Sequence, residues 1–251
     1  MANDKNRTES ILELKNIGFY AQGKELIKDF SHRYAAGKTT ALVGPSGGGK
    51  STVLKLSAGL LVPSRGAVLF RGRDIHLMNR KENLVFRQES AVVFQDSALW
   101  ANQSLYQILE LPLRIHFPSM SKNEREERIR AVVEEAGYRR ELGIRPSNLS
   151  MGEQKLIAFA RAMLCRPELL FLDEWTESLD ESASQRLVRL VRERQDANHT
   201  IIFVSHNVGI IKSLADFILM IRNGNIFLKL SREQIHSDAE IAEYLEKGMA
   251  S

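Results

Sequence analysis

The sequence predicts an α/β fold: a largely parallel sheet covered on both faces, an N-terminal antiparallel β portion, and an inserted helical subdomain. Three observations predict it. Short apolar runs at Thr39–Val43, Ala91–Phe94, Leu169–Leu172, Ile201–Val204 and Phe217–Ile221 are separated by helical patterns, as in parallel sheets whose strands are buried on both faces. Ahead of the first run, Ile11–Ile17 and Glu25–Tyr34 read as two strands. From Ser104 to about Gly137 the chain turns charged and helical. The 251 residues, 43% hydrophobic and 26% charged, have globular values. The length suits one large domain or two small ones; the order of runs is read as a single domain over 1–251, with a core at about 1–95 and 166–230 and a helical subdomain at about 96–165. Short capping helices are expected over 231–251, using Ile235, Ile241, Tyr244 and Leu245.

Taken in order, Thr39–Val43 is a β-rich run leading into Gly44, Pro45, Ser46, Gly47, Gly48, Gly49, Lys50 and Ser51. This is the G-x-x-x-x-G-K-S pattern of a phosphate-binding loop. Its glycines let successive N–H groups turn inward toward phosphate oxygens, Lys50 reaches the β- and γ-phosphates, and the Ser51 hydroxyl ligates Mg²⁺. Val53, Leu54, Leu56 and Leu60 recur at helical spacing, predicting a helix over Thr52–Leu60. A strand, a Gly-rich turn and a helix N-terminus together make an anion site. Pro63–Gly66 reads as a turn, Ala67–Phe70 as a strand and Arg71–Asp74 as a second turn; Ala91–Phe94 is a buried strand ending at Gln95.

Leu105, Ile108, Leu109 and Leu113 mark a helix that Pro112 is expected to kink or end. Ser121-x-x-Glu124 is a capping box that opens a second helix, ending near Gly137. Further helical patterns span Gly152–Cys165 and Glu181–Gln195.

Composition excludes several classes. The formal charge of +4, from 35 basic and 31 acidic residues, is small and scattered, and argues against a nucleic-acid partner. The single cysteine, Cys165, excludes an internal disulfide framework and suits a reducing compartment. Residues Met1–Ser10 are polar, unlike a secretory signal. No apolar run approaches the roughly 18–20 residues of a membrane span, so any membrane role is expected to pass through a partner.

Leu169–Leu172 runs into Asp173 and Glu174. A strand buried on both faces delivers Asp173 to its carboxyl end, where parallel sheets bind ligands and where it is placed to hold Mg²⁺. Glu174, one residue on, is placed to polarise an attacking water. Ser150-x-x-Glu153 fits a capping box; the same hydroxyl, amides and helix dipole face an anion equally well.

In this order the motifs resemble the ATP-binding cassette (ABC) family of transport ATPases, and the resemblance covers nearly the whole chain. Leu149–Gln154 resembles the family signature Leu-Ser-Gly-Gly-Gln, Gln95 falls at the Q-loop glutamine, Ser178-Leu179-Asp180 at the D-loop and His206 at the switch histidine. The resemblance implies a P-loop NTPase that hydrolyses ATP with Mg²⁺. Two copies, a homodimer by default, pair head to tail and sandwich ATP between the phosphate loop of one and the signature of the other. By the same resemblance Lys50, Ser51 and Thr52 bind phosphates and Mg²⁺, and Gln95 senses Mg²⁺ and the γ-phosphate. Asp173 supports the metal, Glu174 is the catalytic base and His206 contacts the γ-phosphate. Ser150, Gly152 and Glu153 lie at the partner's site, and Asp180 communicates across the dimer. It implies a separate membrane permease, with this chain peripheral on the cytoplasmic face of the inner or plasma membrane. The alternatives are the ATPase of another ABC importer or exporter, a soluble ABC ATPase of the iron–sulfur assembly type, and a degenerate cassette that binds ATP but hydrolyses little.

The chain departs from the family pattern at named positions. Met151 stands at the signature's first glycine and Glu153 at its glutamine. A carboxylate facing a γ-phosphate opposes binding unless it points away. Trp175 replaces the proline after the catalytic Glu, which predicts altered loop packing with the chemistry kept. Ala21 aligns with the adenine-stacking aromatic, with Tyr20 one residue earlier. Val93–Trp100, followed by Ser104–Arg114, also resembles the Q-loop region of the lipid-transport ATPases of the maintenance-of-lipid-asymmetry and mammalian-cell-entry (Mla/Mce) class. Leu99, Trp100, Leu105 and Leu109 are candidates to line a groove for a short helix of the permease; the alternative is that most of them pack the helical subdomain, with Trp100 the one left accessible.

Overall fold

The computed structural model describes residues 10–237. The reading of Met1–Ser10 and the tail positions Ile241, Tyr244 and Leu245 lie almost wholly outside them. Strands β1 (Ser10–Ala21), β2 (Lys24–Ala35), β4 (Arg65–Phe70) and β5 (Arg73–Asp74) form an antiparallel sheet in the order β2-β1-β4-β5. A second sheet has the order β10-β9-β3-β8-β7-β6, built from β3 (Thr39–Val43), β6 (Ser90–Val93), β7 (Leu169–Asp173), β8 (Thr200–Val204), β9 (Phe217–Arg222) and β10 (Asn225–Ser231). All its pairings are parallel except β10 on β9.

Strand alternation divides the interior in two. Ala41, Val43, Leu170, Leu172, Ile201 and Phe203 point to one core, while Leu42, Leu169, Phe171, Ile202 and Val204 point to the other. The central strands are apolar on both faces because both are covered. The first core is capped by α3 (Leu105–His116), α4 (Lys122–Ala136), α5 (Met151–Met163), α6 (Glu181–Asp196) and α7 (Val208–Leu214). The second is capped by the antiparallel sheet, α1 (Lys50–Ser57) and α2 (Arg80–Glu89).

Local chemistry sets the boundaries. Helix α1 stops at Ser57, short of the predicted Leu60, in a Schellman turn: Gly59 at φ 63 donates to Leu56 O and Leu60 donates to Lys55 O. Leu60 is thereby left exposed. The predicted turn at Arg71–Asp74 is tighter than expected. Arg71 and Gly72, at φ 47 and 79, make a two-residue hairpin, and Arg73 already pairs with Phe70. Pro112 does not end α3, which continues to His116 with Leu109 and Leu113 fully buried; burial of that face outweighs one missing backbone donor. The capping box at Ser121 and the left-handed Gly137 (φ 94) bound α4 as predicted. Helix α2 was not predicted. Phe86 is its one buried residue, so it shows no apolar stripe, yet Asn79-x-x-Glu82 is a complete capping box that marks its start.

Candidate functional site

The carboxyl ends of adjacent parallel strands assemble the site. β3 delivers the Gly44–Gly49 loop, β8 delivers His206, β7 delivers Asp173 and Glu174, and β6 delivers Gln95, in the spatial order β3-β8-β7-β6. Gly44 has φ 138, and a Cβ there would sit 2.1 Å from Ile221 O. Gly49, at φ 107, is the N-cap of α1 and offers no side chain to its first amides. Those amides are left to an outside acceptor, as an anion site requires. Lys50 is buried, and its Nζ donates to Gly44 O and Pro45 O at 2.9 Å each, which lays the ammonium along the loop. Burial lowers its pKa, and Glu174 and Asp173 counter that. Ser46 and Gly47 are exposed at the loop's crest.

Ser51 Oγ donates to Asp173 Oδ1 at 3.0 Å. Asp173 is buried, which raises its pKa, and the Ser51 hydrogen bond with Lys55, Lys155 and Lys50 restrains the rise. This pair of hard oxygen ligands beneath the loop fits Mg²⁺. Glu174 has φ 43, a rare backbone conformation for a non-glycine residue, and its N–H donates to Val204 O at 3.1 Å. Its Oε1 is buried without a hydrogen-bond partner among the described residues. His206 Nε2 approaches it to 3.4 Å. Burial pushes the Glu174 carboxyl up to about 7, reinforced by Asp173 and Glu177 and opposed by the His206 backbone. His206 shifts the other way, lowered first by burial and then by Lys50. Trp175 is fully buried edge-on against Phe203, with ring centroids 5.3 Å apart. The loop after Glu174 is thus packed by an aromatic anchor.

One cleft is lined by Ser51, Gln95, Lys155, Asp173 and Glu177 and extends to Met151. Gln95 Nε2 donates to Glu177 Oε2 at 3.1 Å. Lys155 and Glu177 were missed from sequence. Lys155 on α5 is buried and donates to Phe94 O and Gln95 O, fastening the Gln95 loop to this helix. Its signal was a lysine on the apolar face shared with Ala158 and Phe159.

Ser150, Gly152, Glu153 and Asp180 do not line this cleft. Ser150 caps α5 in a complete capping box. Glu153 points back along the helix: Oε2 accepts from Ser150 N at 2.9 Å, and the carboxylate pairs with Arg140. A Cβ on Gly152 would meet Ser178 O at 3.0 Å, so the helix start abuts the β7–α6 loop. Asp180 N-caps α6 through Ala183 N at 2.8 Å. Tyr20, 56% exposed, stands on β1. Thr52 follows Ser51 on α1 and is half-buried.

The groove reading fails at Leu105 and Leu109, where the packed alternative holds. Leu105 and Leu109 are fully buried in the first core and are unable to line a groove, since both belong to the inward face of α3. Leu99 packs partly against that core. Trp100 is 46% exposed and borders an apolar groove with Leu60, Leu111, Pro112, Ile115 and Cys165. Burial pushes the Cys165 thiol up to about 11, which disfavours its thiolate form in this groove. Among the described residues no helix is long and apolar enough to cross a membrane.

The ABC transporter family model matches residues 27–177. The chain is 30% identical to the intermembrane phospholipid transport ATP-binding protein MlaF of Haemophilus influenzae, over 95% of this chain and 91% of that protein. It is 30% identical to the methionine import ATP-binding protein MetN of Clostridium acetobutylicum, over 89% of this chain and 72% of that one. It is 35% identical to the uncharacterized ABC transporter ATP-binding protein YejF of Escherichia coli, over 80% of this chain but only 39% of that protein. A dimeric ATP-binding cassette solved in a post-hydrolysis state with ADP and Pi superposes with a TM-score of 0.82 at 24% identity, covering 88% of this chain and 98% of that one. That likeness fixes the fold; the family match and the relatives fix the rest: the chain belongs to the ABC transporter family as an ATP-binding, ATP-hydrolysing cassette.

Proposed function

We propose that this chain is the ATPase subunit that powers a separate membrane permease from its cytoplasmic face, working as a head-to-tail pair of copies with ATP between them. The observation that carries the reading is the Ser51–Asp173 pair at 3.0 Å beneath the phosphate loop, with the Glu174 carboxyl following on the same strand end. Lys50, Thr52 and the Gly44–Gly49 amides hold the phosphates. Ser51 and Asp173, with Gln95 beside them, would hold Mg²⁺, which when bound screens phosphate charge and fixes the oxygens it touches. Glu174 takes a proton from the attacking water, and His206, neutral, contacts the γ-phosphate. Ser150 and Gly152 complete the partner's site, Asp180 reports across the pair, and Tyr20 stacks on adenine. Catalysis then rests on positioning and charge stabilisation. Converting Glu174 to Gln tests it: ATPase activity falls about 10²-fold or more while ATP binding persists. Undiminished hydrolysis would remove the assignment.

The transported molecule is proposed to be a phospholipid or another lipid. Support comes from the Val93–Trp100 segment and from the near end-to-end match to MlaF; the MetN match, 30% identical over 89% of this chain, favours methionine instead. The apolar groove beside Trp100 suits a short amphipathic helix from the permease. Detergent pull-down from native membranes with extraction of bound lipid decides between these. A permease with a lipid-binding partner supports the lipid; a permease alone removes it; a wholly soluble protein favours the iron–sulfur assembly type.

A further inference from the structure

We propose that Arg140 is a positioning residue for the signature half of the ATP site, holding the Glu153 carboxylate away from the partner's γ-phosphate and cancelling its charge. The inference rests on the head-to-tail reading above. Arg140 Nη1 lies 3.0 and 3.1 Å from the two Glu153 oxygens and 3.3 Å from Asn148 O, just ahead of the signature. The same carboxylate accepts from Ser150 N at 2.9 Å. Glu153 is therefore held from two sides, by the capping box and by the guanidinium. Both partners are held in their charged forms by these contacts: Ser150 and Arg140 lower the Glu153 pKa, and Glu153 raises that of Arg140.

Arg140 is placed by the fold. Helix α4 ends at left-handed Gly137, Tyr138 is buried in the core, and its hydroxyl donates to Glu141 O at 3.3 Å. The loop that carries Arg140 is thus anchored on both sides of it. The electrostatic consequence follows from simple charges. A helix N-terminus presents about half a positive charge, which one unpaired carboxylate in the first turn would more than cancel. With Arg140 paired to it, α5 again faces an incoming phosphate with a net positive end. An isolated exposed ion pair contributes little to stability, so the role is expected in phosphate recognition across the pair and not in folding.

The test uses the full chain carrying Glu174→Gln as parent, with ATP and Mg²⁺, and sedimentation to measure pairing. R140A is expected to weaken ATP-dependent pairing by about tenfold or more. E153Q, which keeps an acceptor for Ser150 N, is expected to pair like the parent. R140A/E153Q is expected to return to within about threefold of the parent, because the uncompensated charge is gone. Binding of a fluorescent ATP analogue to the isolated chain is expected to be unchanged by R140A. Equal pairing of R140A and parent would overturn the assignment. A double variant as weak as R140A would overturn it too, since that marks Arg140 as structural. Thermal melts keep the test decisive: a double variant that melts as low as R140A yet pairs normally supports the charge argument. A parent that stays monomeric at saturating ATP would overturn the head-to-tail reading, and this inference with it.

Discussion

His206 Nε2 stands 3.4 Å from Glu174 Oε1, and burial drives the two pKa values in opposite directions. The carboxyl reaches about 7 while the imidazole falls below its ordinary value. Near neutral pH the pair is therefore a carboxyl poised to titrate beside a neutral ring, and not an ion pair. A base of this kind works only when ionised. The acid limb of kcat/KM for ATP is expected to have its midpoint near 7, with activity rising as pH rises through it. A profile flat from pH 6 to 8 would show that Glu174 is not the titrating group.

The same shift bears on stability. Between 4.5 and about 7 the folded chain keeps a proton on Glu174 that the unfolded chain has released. Stability then falls as pH rises through that window, and the deficit is complete above 7. Glu174→Gln removes it. The variant is expected to be more stable than the parent at pH 8 by on the order of 1 kcal/mol, a figure discounted for solvent at the carboxyl. The difference is expected to vanish near pH 4.5, and melts at the two pH values check this.

Lys155 ties α5 to the backbone of the Gln95 loop, donating to Phe94 O and Gln95 O from a buried position. Lys155→Met keeps the volume and removes both bonds; Phe94 O still accepts from Ser97 N, while Gln95 O loses the side-chain donor that fastens it, at a cost of about 1–3 kcal/mol. Hydrolysis is expected to fall about tenfold with ATP affinity little changed, because Gln95 loses its fixed base. Combining it with Gln95→Ala is expected to add little further loss. Fully additive losses would mean that the two residues act independently.

These assignments were legible in the sequence to different degrees. The strand at Thr39–Val43 and the two carboxylates at 173 and 174 needed only apolar runs and turn chemistry, which are local signals. Helix α2 was hidden because Phe86 is its one buried position, so periodicity had nothing to report. For Leu105 and Leu109 the sequence leaves both a groove and a packed subdomain open, because the pattern shows that a face is apolar, not what covers it. Arg140 and Glu153 meet across thirteen residues of loop and helix, and Gln95 and Glu177 across a strand crossing. Such partners exist only once the topology has brought them together. The residues proposed to touch phosphate sit mostly in contiguous motifs; the residues proposed to aim them do not.

Trp100 is the aromatic left standing on the edge of the apolar groove, 46% exposed, with Leu60 at 42% and Ile115 at 48% beside it. Exposed large apolar groups clustered along a concave surface mark an interaction site more than they mark the core. Tryptophan is also the residue type most often found to carry binding energy at an interface. Trp100→Asp is therefore expected to leave the thermal midpoint within the range of an ordinary surface change, about 0.5 kcal/mol, and the ATPase rate of the isolated subunit unchanged. Recovery of the permease in a detergent pull-down is expected to drop about tenfold or more. Leu105→Ala supplies the contrast, because that side chain is fully buried. It is expected to cost about 2–5 kcal/mol of stability, and to reduce permease recovery only as far as it unfolds the chain. If Trp100→Asp retained the permease at the parental level, the groove beside α3 would not be the docking surface, and coupling would have to be sought on another face.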